Sequence, residues 1–134
     1  MSIKKIFSSK PAQITHAAIK LSSQIFGDDK DLKVGAIGDK DLVFSIAENF
    51  KNFGYEECRI FKKSNSLYIN SERKKIIDKN SVLKDFFIFD VVLIGFNDGL
   101  KVISKDMTQI FLKKRKQKPI FFVDVGLPGN VDPE

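Results

Sequence analysis

The fold is decided by one stretch of the sequence, Lys33-Val34-Gly35-Ala36-Ile37-Gly38-Asp39-Lys40-Asp41-Leu42-Val43. Its first five residues are strand-like, and the residues from Asp41 onward have the apolar spacing of a helix. A βαβ unit that binds a dinucleotide carries the motif G-x-G-x-x-G at such a junction. Here Gly38 is the first glycine, but Lys40 and Val43 occupy the second and third positions. Those two glycines let the backbone approach a pyrophosphate and let helix and strand pack closely. The stretch therefore predicts the fold and weakens the prediction of nucleotide binding.

Strands and helices alternate along the rest of the chain. Apolar stripes bounded by proline, glycine or serine predict helices from Pro11 to Gly27, Asp41 to Phe53, Asn80 or Ser81 to Phe89, and Ser104 to Lys116. Apolar runs predict strands at 32–37, 57–61, 76–77, 90–94 and 120–125, and residues 65–75 are expected to form a short irregular helix. This alternation predicts an α/β fold, a Rossmann-like doubly wound domain with a mostly parallel sheet of about five strands flanked by helices.

The composition bounds the class of protein. A length of 134 residues suits one domain, predicted at 11–134, and residues 1–10 are expected to be a flexible lead-in without a secretory signal. No apolar run approaches a membrane span, so no membrane partner is expected. Cys58 is the single cysteine, which predicts a cytoplasmic protein without disulfides, and a small buried hydrophobic role is favoured for it over a nucleophile. His16 is the single histidine and is expected at the surface, so neither a metal site nor a catalytic residue is predicted.

The formal net charge of +6 suggests an anionic partner, but its distribution argues for a solvated surface. Nearly all the positive charge is lysine, whereas recognition of nucleic-acid bases usually relies on arginine. Residues 113–118 are strongly basic and could contact RNA. A solvated helix end is the favoured interpretation, because no aromatic residues are interleaved with the lysines. Nucleic acid is therefore not expected as a partner.

Ligands of doubly wound sheets bind at the carboxyl ends of the strands. The predicted ends are Gly38 to Asp41, Lys62 to Ser64, Gly95 to Asp98 and Gly126 to Gly129. Gly38-Asp39-Lys40 could hold a phosphate through the lysine, but two neighbouring carboxylates would repel it, and a structural turn is favoured. Lys62 and Lys63 could meet the 2′-phosphate of an adenosine, with a plain solvated strand end as the alternative.

Four further stretches form a pattern. They are the run Phe121-Phe122-Val123-Asp124-Val125-Gly126-Leu127-Pro128-Gly129-Asn130-Val131-Asp132-Pro133, the helix from Ile14 to Gly27, and the segments Asp90 to Val92 and Val102 to Met107. Together they resemble the NADPH-binding domain of glutamyl-tRNA reductase, within a group that also includes the nucleotide domains of shikimate and quinate dehydrogenases. The resemblance covers about residues 11–134, and the closing pattern from Asp124 to Pro133 is its most specific part.

The resemblance implies NADP(H) as cofactor and a role in tetrapyrrole biosynthesis. The family enzyme reduces glutamate esterified to its tRNA, using a catalytic cysteine in a separate N-terminal domain and a long C-terminal helix for dimerisation. Neither region matches this sequence, so the chain alone is expected to be inactive, and a separate chain carrying the missing catalytic domain is the implied partner. The cofactor-binding positions that the resemblance implies are Gly38, Asp39, Lys40, Lys62, Lys63, Ser64, Gly95 and Asn97.

Departures from the family fall on these same loops. Lys62-Lys63-Ser64 stands where the family has Asn-Arg-Thr, Ile94 to Asn97 replaces a Ser-Ser-Thr-like turn, and Gly129 replaces an arginine. Two hypotheses therefore stay open. The chain is a partly degenerate relative that binds NADP(H) weakly or works with a partner chain, or it is a non-catalytic interaction or regulatory module that has lost dinucleotide binding. The oligomeric state is not predicted.

Overall fold

A seven-stranded mixed sheet lies at the centre of the computed structural model, which describes residues 2–4, 10–64, 67–70, 76–78, 83–96, 103–126 and 131. The strands are β1 (Ser2–Lys4), β2 (Val34–Gly38), β3 (Cys58–Ser64), β4 (Leu67–Asn70), β5 (Ile76–Asp78), β6 (Val91–Gly95) and β7 (Phe121–Asp124). The helices are α1 (Pro11–Phe26), α2 (Asp41–Asn52) and α3 (Lys105–Lys114), with a 3₁₀ helix at Phe86–Ile88. The strand order is β1-β7-β6-β2-β3-β4-β5.

Five neighbouring strands, in the order β1-β7-β6-β2-β3, are mutually parallel, which confirms the predicted fold class. Leu93 on β6 pairs with Ala36 on one side and with Val123 on the other. Leu93 and Val123 are each 1% exposed and lie in the buried centre of the sheet. The apolar runs of β2, β6 and β7 are buried along their whole length, as strands covered on both faces must be.

The edges of the sheet differ from the prediction. The fifth parallel strand is β1, which lies in the expected lead-in, because Ser2–Lys4 pairs with the edge of β7. Ile76–Asp78 is a strand as predicted, but it runs antiparallel to β4. Leu67–Asn70 is strand β4 and not part of an irregular helix, because it folds back onto the extended end of β3 as a hairpin. The rest of the predicted irregular helix, at 65–66 and 71–75, lies outside the described residues.

The helix predicted to run to Phe89 does not continue to that residue as a regular α-helix. Leu83 is α-helical, residues 84–85 form a turn and Phe86–Ile88 is a 3₁₀ helix, while residues 80–82 lie outside the described part. In a 3₁₀ helix, side chains three residues apart stand over one another. Phe86 and Phe89 have that spacing, and their rings meet edge to face with centroids 4.9 Å apart. The packing of these two rings against the sheet favours a 3₁₀ helix over an α-helix here.

Two apolar layers cover the sheet. On one face α1 and α2 pack through residues such as Ile14, Ala18 and Phe50, each fully buried. On the other face the 3₁₀ helix and α3 contribute Phe86 and Phe111, each 1% exposed. Because α2 begins at Asp41, shortly after β2 ends at Gly38, its start lies at the carboxyl end of β2.

The amino edge of the sheet is tied together by Arg115, which lies in the basic segment predicted to be solvated. Its guanidinium donates to Asp90 Oδ1 at 2.8 Å and to the carbonyl oxygens of Phe87, Phe89 and Pro119 at 2.9, 3.0 and 2.7 Å. The side chain is 7% exposed, so the prediction of a solvated surface is wrong for this residue. Arg115 instead connects the start of β6 to the residues before β7.

Asp90 completes the cluster at this edge. Its Oδ2 accepts the backbone N–H of Lys33 at 2.9 Å, and Lys118 Nζ lies 3.2 Å from Oδ1. Burial by itself would raise the pKa of Asp90, but the hydrogen bonds from Arg115, Lys33 and Lys118 together hold that pKa below its ordinary value.

Replacing Leu93 with alanine tests the sheet centre. We expect the free energy of unfolding to fall by roughly 2–5 kcal/mol, because the cavity at a fully packed site cannot collapse. Ile110→Ala is the matched control, since Ile110 is 53% exposed and its loss should change little. Equal denaturant midpoints for Leu93→Ala and wild type would contradict the assignment.

The pH dependence of stability tests the Asp90 cluster. The folded-state pKa lies below the unfolded value of about 3.9, so this stabilisation is complete above that value and is lost as the pH falls through the folded pKa. In Asp90→Asn, unfolding followed from pH 6 to pH 2 should depend less on pH, with stability at pH 6 already reduced by roughly 3 kcal/mol. The exposed Asp28 gives the control, Asp28→Asn, which should follow the wild-type curve.

Candidate functional site

The order of the strands reverses between β2 and β6. From β2 the chain passes through α2 to β3 on one side, and it later returns to place β6 on the other side. In open α/β sheets, ligands bind in the crevice at the carboxyl ends of two such strands. Those ends are Gly38 and Gly95, which pair with each other in register. We call the space above this pair, bounded by the start of α2, the switch crevice.

The two glycines bring their backbones into close contact. A Cβ atom built on Gly38 would lie 1.9 Å from the carbonyl oxygen of Gly95. The same oxygen accepts the backbone N–H of Asp39 at 3.1 Å. The close contact between the two backbones therefore requires glycine at position 38, whether or not a ligand binds.

Lys40 crosses the switch crevice. Its Nζ donates to the carbonyl oxygen of Val125, just beyond β7, at 2.9 Å. The Cδ atom of Lys40 lies 3.5 Å from the position that a Cβ on Gly95 would take. The lysine side chain thus runs from the start of α2 over the end of β6 to the end of β7.

Val43 fills the floor of the crevice. It is fully buried in the first turn of α2. A Cβ built on Gly95 would lie 2.7 Å from Cγ2 of Val43 and 2.7 Å from Cγ2 of Val125. The space left by the missing side chain of Gly95 is therefore occupied by two valine side chains, and the third position of the glycine motif is closed by an isopropyl group.

The predicted phosphate-binding residues on β3 lie beside this crevice. Lys62 pairs with Gly38 in register, and its exposed Nζ lies 5.0 Å from the centroid of the Phe44 ring on α2. Lys63 and Ser64 continue the strand and pair with Tyr68 and Leu67 of β4. The structure thus brings Lys62 next to Gly38, while Lys63 and Ser64 extend into a hairpin. Asn97 lies outside the described residues.

Asp124 is a site residue that the sequence reasoning missed. Its carboxylate is 8% exposed and accepts the N–H of Gly126 at 3.0 Å and the N–H of Val131 at 2.8 Å. Val131 in turn forms a parallel bridge with Ile103. The closing sequence pattern contained the signal, because an aspartate at the end of a buried strand is well placed to accept backbone N–H groups.

The two residues with nucleophilic or metal-binding chemistry lie away from the crevice. Cys58 is fully buried on β3, with Sγ 3.8 Å from the carbonyl oxygen of Ala47. His16 is exposed on α1, and its ring meets Phe53 edge to face at 6.4 Å. Within the described ranges, no group of three or more His, Cys, Asp or Glu residues could hold a metal ion. No helix in those ranges is both long enough and apolar enough to cross a membrane.

The parallel sheet, the reversal of strand order and the glycine pair define a Rossmann-like domain of the dinucleotide-binding class. The family model described as Shikimate / quinate 5-dehydrogenase matches residues 20–134, and the chain therefore belongs to that family.

Individual relatives agree with this assignment. The chain is 27% identical over 128 residues to a glutamyl-tRNA reductase of Teredinibacter turnerae and 28% identical over 134 residues to one of Geobacter sulfurreducens. These matches cover 92% and 95% of the chain, but only 31% and 30% of the two relatives. The solved glutamyl-tRNA reductase of Methanopyrus kandleri has the same fold, with a TM-score of 0.72 and 19% identity over 94% of this chain and 32% of that one. The resemblance to the NADP-binding domain of glutamyl-tRNA reductase is thus confirmed, and the chain spans about a third of these relatives.

A pair of substitutions tests the packing of the switch crevice. Gly95→Ala should lower the free energy of unfolding by about 1–3 kcal/mol, because the new methyl group would overlap both Val43 and Val125. Adding Val43→Ala removes one of the two clashes and should restore part of that loss. Thermal unfolding of the two single variants and the double variant measures the coupling. Strict additivity of the two effects would show that Val43 does not fill the crevice above Gly95.

Proposed function

We propose that this chain is a non-catalytic Rossmann-like domain related to glutamyl-tRNA reductase, which closes its dinucleotide crevice with its own side chains and acts by contact with another protein chain. The observation that carries the proposal is the hydrogen bond from Lys40 Nζ to the Val125 carbonyl oxygen, 2.9 Å long across the crevice. NADP(H) then binds weakly at most, since it competes with this contact.

A pyrophosphate needs free space at the start of α2. In the dinucleotide-binding class, the pyrophosphate lies at the helix N-terminus, where backbone N–H groups and the helix dipole attract it. In this chain Lys40 and Val43 occupy the approach to that N-terminus. Asp39 and Asp41 flank Lys40 and add two negative charges next to the site. A dinucleotide would have to break the Lys40 contact, displace its side chain and tolerate both carboxylates.

The chemistry of the described residues also favours a non-catalytic role. The enzyme that the resemblance implies forms a thioester on an accessible cysteine. The sequence contains one cysteine, Cys58, and its thiol is fully buried between β3 and α2. Reduction of a glutamyl ester for tetrapyrrole biosynthesis would therefore need a nucleophile from outside these 134 residues. A sequence with a single cysteine suits the reducing cytoplasm, which we keep as the proposed location.

Weak binding of NADP(H) is the second candidate function, and Lys62 is the observation that favours it. Lys62 is exposed at the carboxyl edge and pairs in register with Gly38. A lysine at this point of the sheet lies close to the adenosine ribose of a bound dinucleotide, where it could pair with a 2′-phosphate. If any dinucleotide binds, NADP(H) should be preferred over NAD(H).

Calorimetric titration at low salt with NADPH and NADH tests the proposal. Wild type should bind NADPH poorly, and the double variant Lys40→Gly with Val43→Gly should bind it more tightly, because the pyrophosphate can then reach the helix N-terminus. Lys40→Gly alone should gain less, since the charge that favours a phosphate is lost together with the obstruction. Lys62→Ala in the double variant should remove the preference for NADPH over NADH.

Two controls keep these titrations interpretable. Lys20→Ala removes a positive charge from the exposed face of α1 and should leave the preference for NADPH unchanged. Glycine at position 43 costs about 1 kcal/mol in helix propensity and also leaves a cavity at a fully buried position, so the folded fraction is first checked by thermal unfolding. Tight binding of NADPH by wild type that the two glycines weaken would overturn the proposal.

A further inference from the structure

A single peptide unit lies between Lys40 and Asp124. Lys40 Nζ donates to the carbonyl oxygen of Val125 at 2.9 Å, and the N–H of Gly126 donates to Asp124 Oδ1 at 3.0 Å. This carbonyl and this N–H belong to the same peptide unit, and in a trans peptide they point in opposite directions. An ammonium group and a carboxylate are therefore joined through the peptide that connects Val125 to Gly126.

We propose that Asp124 is the positioning residue that keeps the switch crevice closed. By holding the N–H of Gly126, the carboxylate turns the carbonyl of Val125 toward Lys40. The negative charge at the N–H end also strengthens the carbonyl as an acceptor, because hydrogen bonds in a chain polarise one another. The inference rests on the proposed function, since it takes the Lys40 contact as the one that closes the crevice.

The neighbouring contacts explain why Asp124 has this control. The N–H of Val125 donates to the carbonyl oxygen of Ile94 at 2.9 Å, which fixes the chain before the mediating peptide unit. Beyond it, the N–H of Gly126 is held by Asp124. If that hydrogen bond is lost, rotation of the peptide plane carries the Val125 carbonyl away from Lys40.

The second oxygen of Asp124 connects the crevice to the end of the chain. Oδ2 accepts the N–H of Val131 at 2.8 Å, and Val131 is 3% exposed and bridged to Ile103. The N–H of Val131 thus helps to hold the carboxylate in the orientation in which Oδ1 accepts the N–H of Gly126.

Chemical labelling of lysine amines tests the positioning role directly. A short pulse of acetic anhydride, followed by mass spectrometry of peptides, gives the acetylation rate at Lys40, with the exposed Lys62 as internal reference. Asp124→Asn should raise the rate at Lys40 about tenfold, which corresponds to about 1.4 kcal/mol of lost contact energy. Asparagine replaces one acceptor oxygen with an NH₂ group and removes the charge, so the hold on Gly126 is weakened. The rate at Lys62 should stay the same.

Asp90→Asn is the matched control for a general loss of stability. Asp90 is also a buried carboxylate that accepts a backbone N–H, but it lies at the opposite edge of the sheet. In this variant the rate at Lys40 should match wild type. An unchanged rate in Asp124→Asn, or an equal increase in both variants, would overturn the inference. If Asp124→Asn does not unfold cooperatively, Gly126→Pro removes the N–H donor with the carboxylate intact, and the same increase at Lys40 is expected; no increase there would also overturn it.

The labelling and the titrations fail independently. Acetylation of Lys40 is measured without any nucleotide, so tight binding of NADPH by wild type would overturn the proposed function and leave the labelling result readable. An unchanged rate at Lys40 in Asp124→Asn would remove the positioning role while the titrations still decide whether the crevice is closed.

Discussion

The close approach of Gly38 and Gly95 is the constraint on which the rest of the structure depends. A methyl group on Gly38 would lie 1.9 Å from the Gly95 carbonyl oxygen, so only glycine allows β2 and β6 to pair to their ends. This pairing sets the point where the strand order reverses. It also fixes the distance between α2 and the end of β7, and Lys40 and Val43 lie in the space between them. Gly38, which the fold requires, is thus close in sequence to the two residues that we propose to close the site.

The amino and carboxyl edges of the sheet carry different kinds of contact. At the amino edge, Arg115 and Asp90 form a buried pair whose remaining hydrogen-bonding groups are taken up by backbone atoms. Such a fully satisfied pair fixes the geometry of the strands. At the carboxyl edge, the charges of Lys40 and Asp124 are joined through a single peptide unit. The Arg115 cluster is therefore separate from the residues that would hold a cofactor, whereas the glycine pair serves the fold and the site together.

The sequence predicted the fold to the extent that local pattern determines it. The apolar runs of β2, β6 and β7 are long and bounded by clear breaks, and they form the expected parallel centre. The hairpin of β3 and β4 was not predicted, because the alternation at Leu67–Asn70 spans only four residues and its pairing partner is set by the tertiary fold. The prediction that Arg115 is solvated was wrong for a related reason. The sequence of a basic segment does not show which of its side chains forms a buried ion pair with a distant residue.

Prediction of the site reached a similar limit. The departure from the glycine motif at Lys40 and Val43 was visible in the sequence, but the destination of the lysine side chain was not, because Val125 lies 85 residues away. The role of Asp124 depends on the direction of one peptide plane, which no pattern of residue types records. The loss of the glycines is therefore visible in the sequence, whereas the position of the Lys40 side chain is visible only in the structure.

A crystal structure of the wild-type chain grown with millimolar NADPH shows whether the crevice is closed to a dinucleotide. We predict that Lys40 Nζ remains within hydrogen-bonding distance of the Val125 carbonyl oxygen and that no dinucleotide lies above Gly38 and Gly95. Electron density for a pyrophosphate at the start of α2, with the Lys40 side chain displaced from Val125, would contradict it.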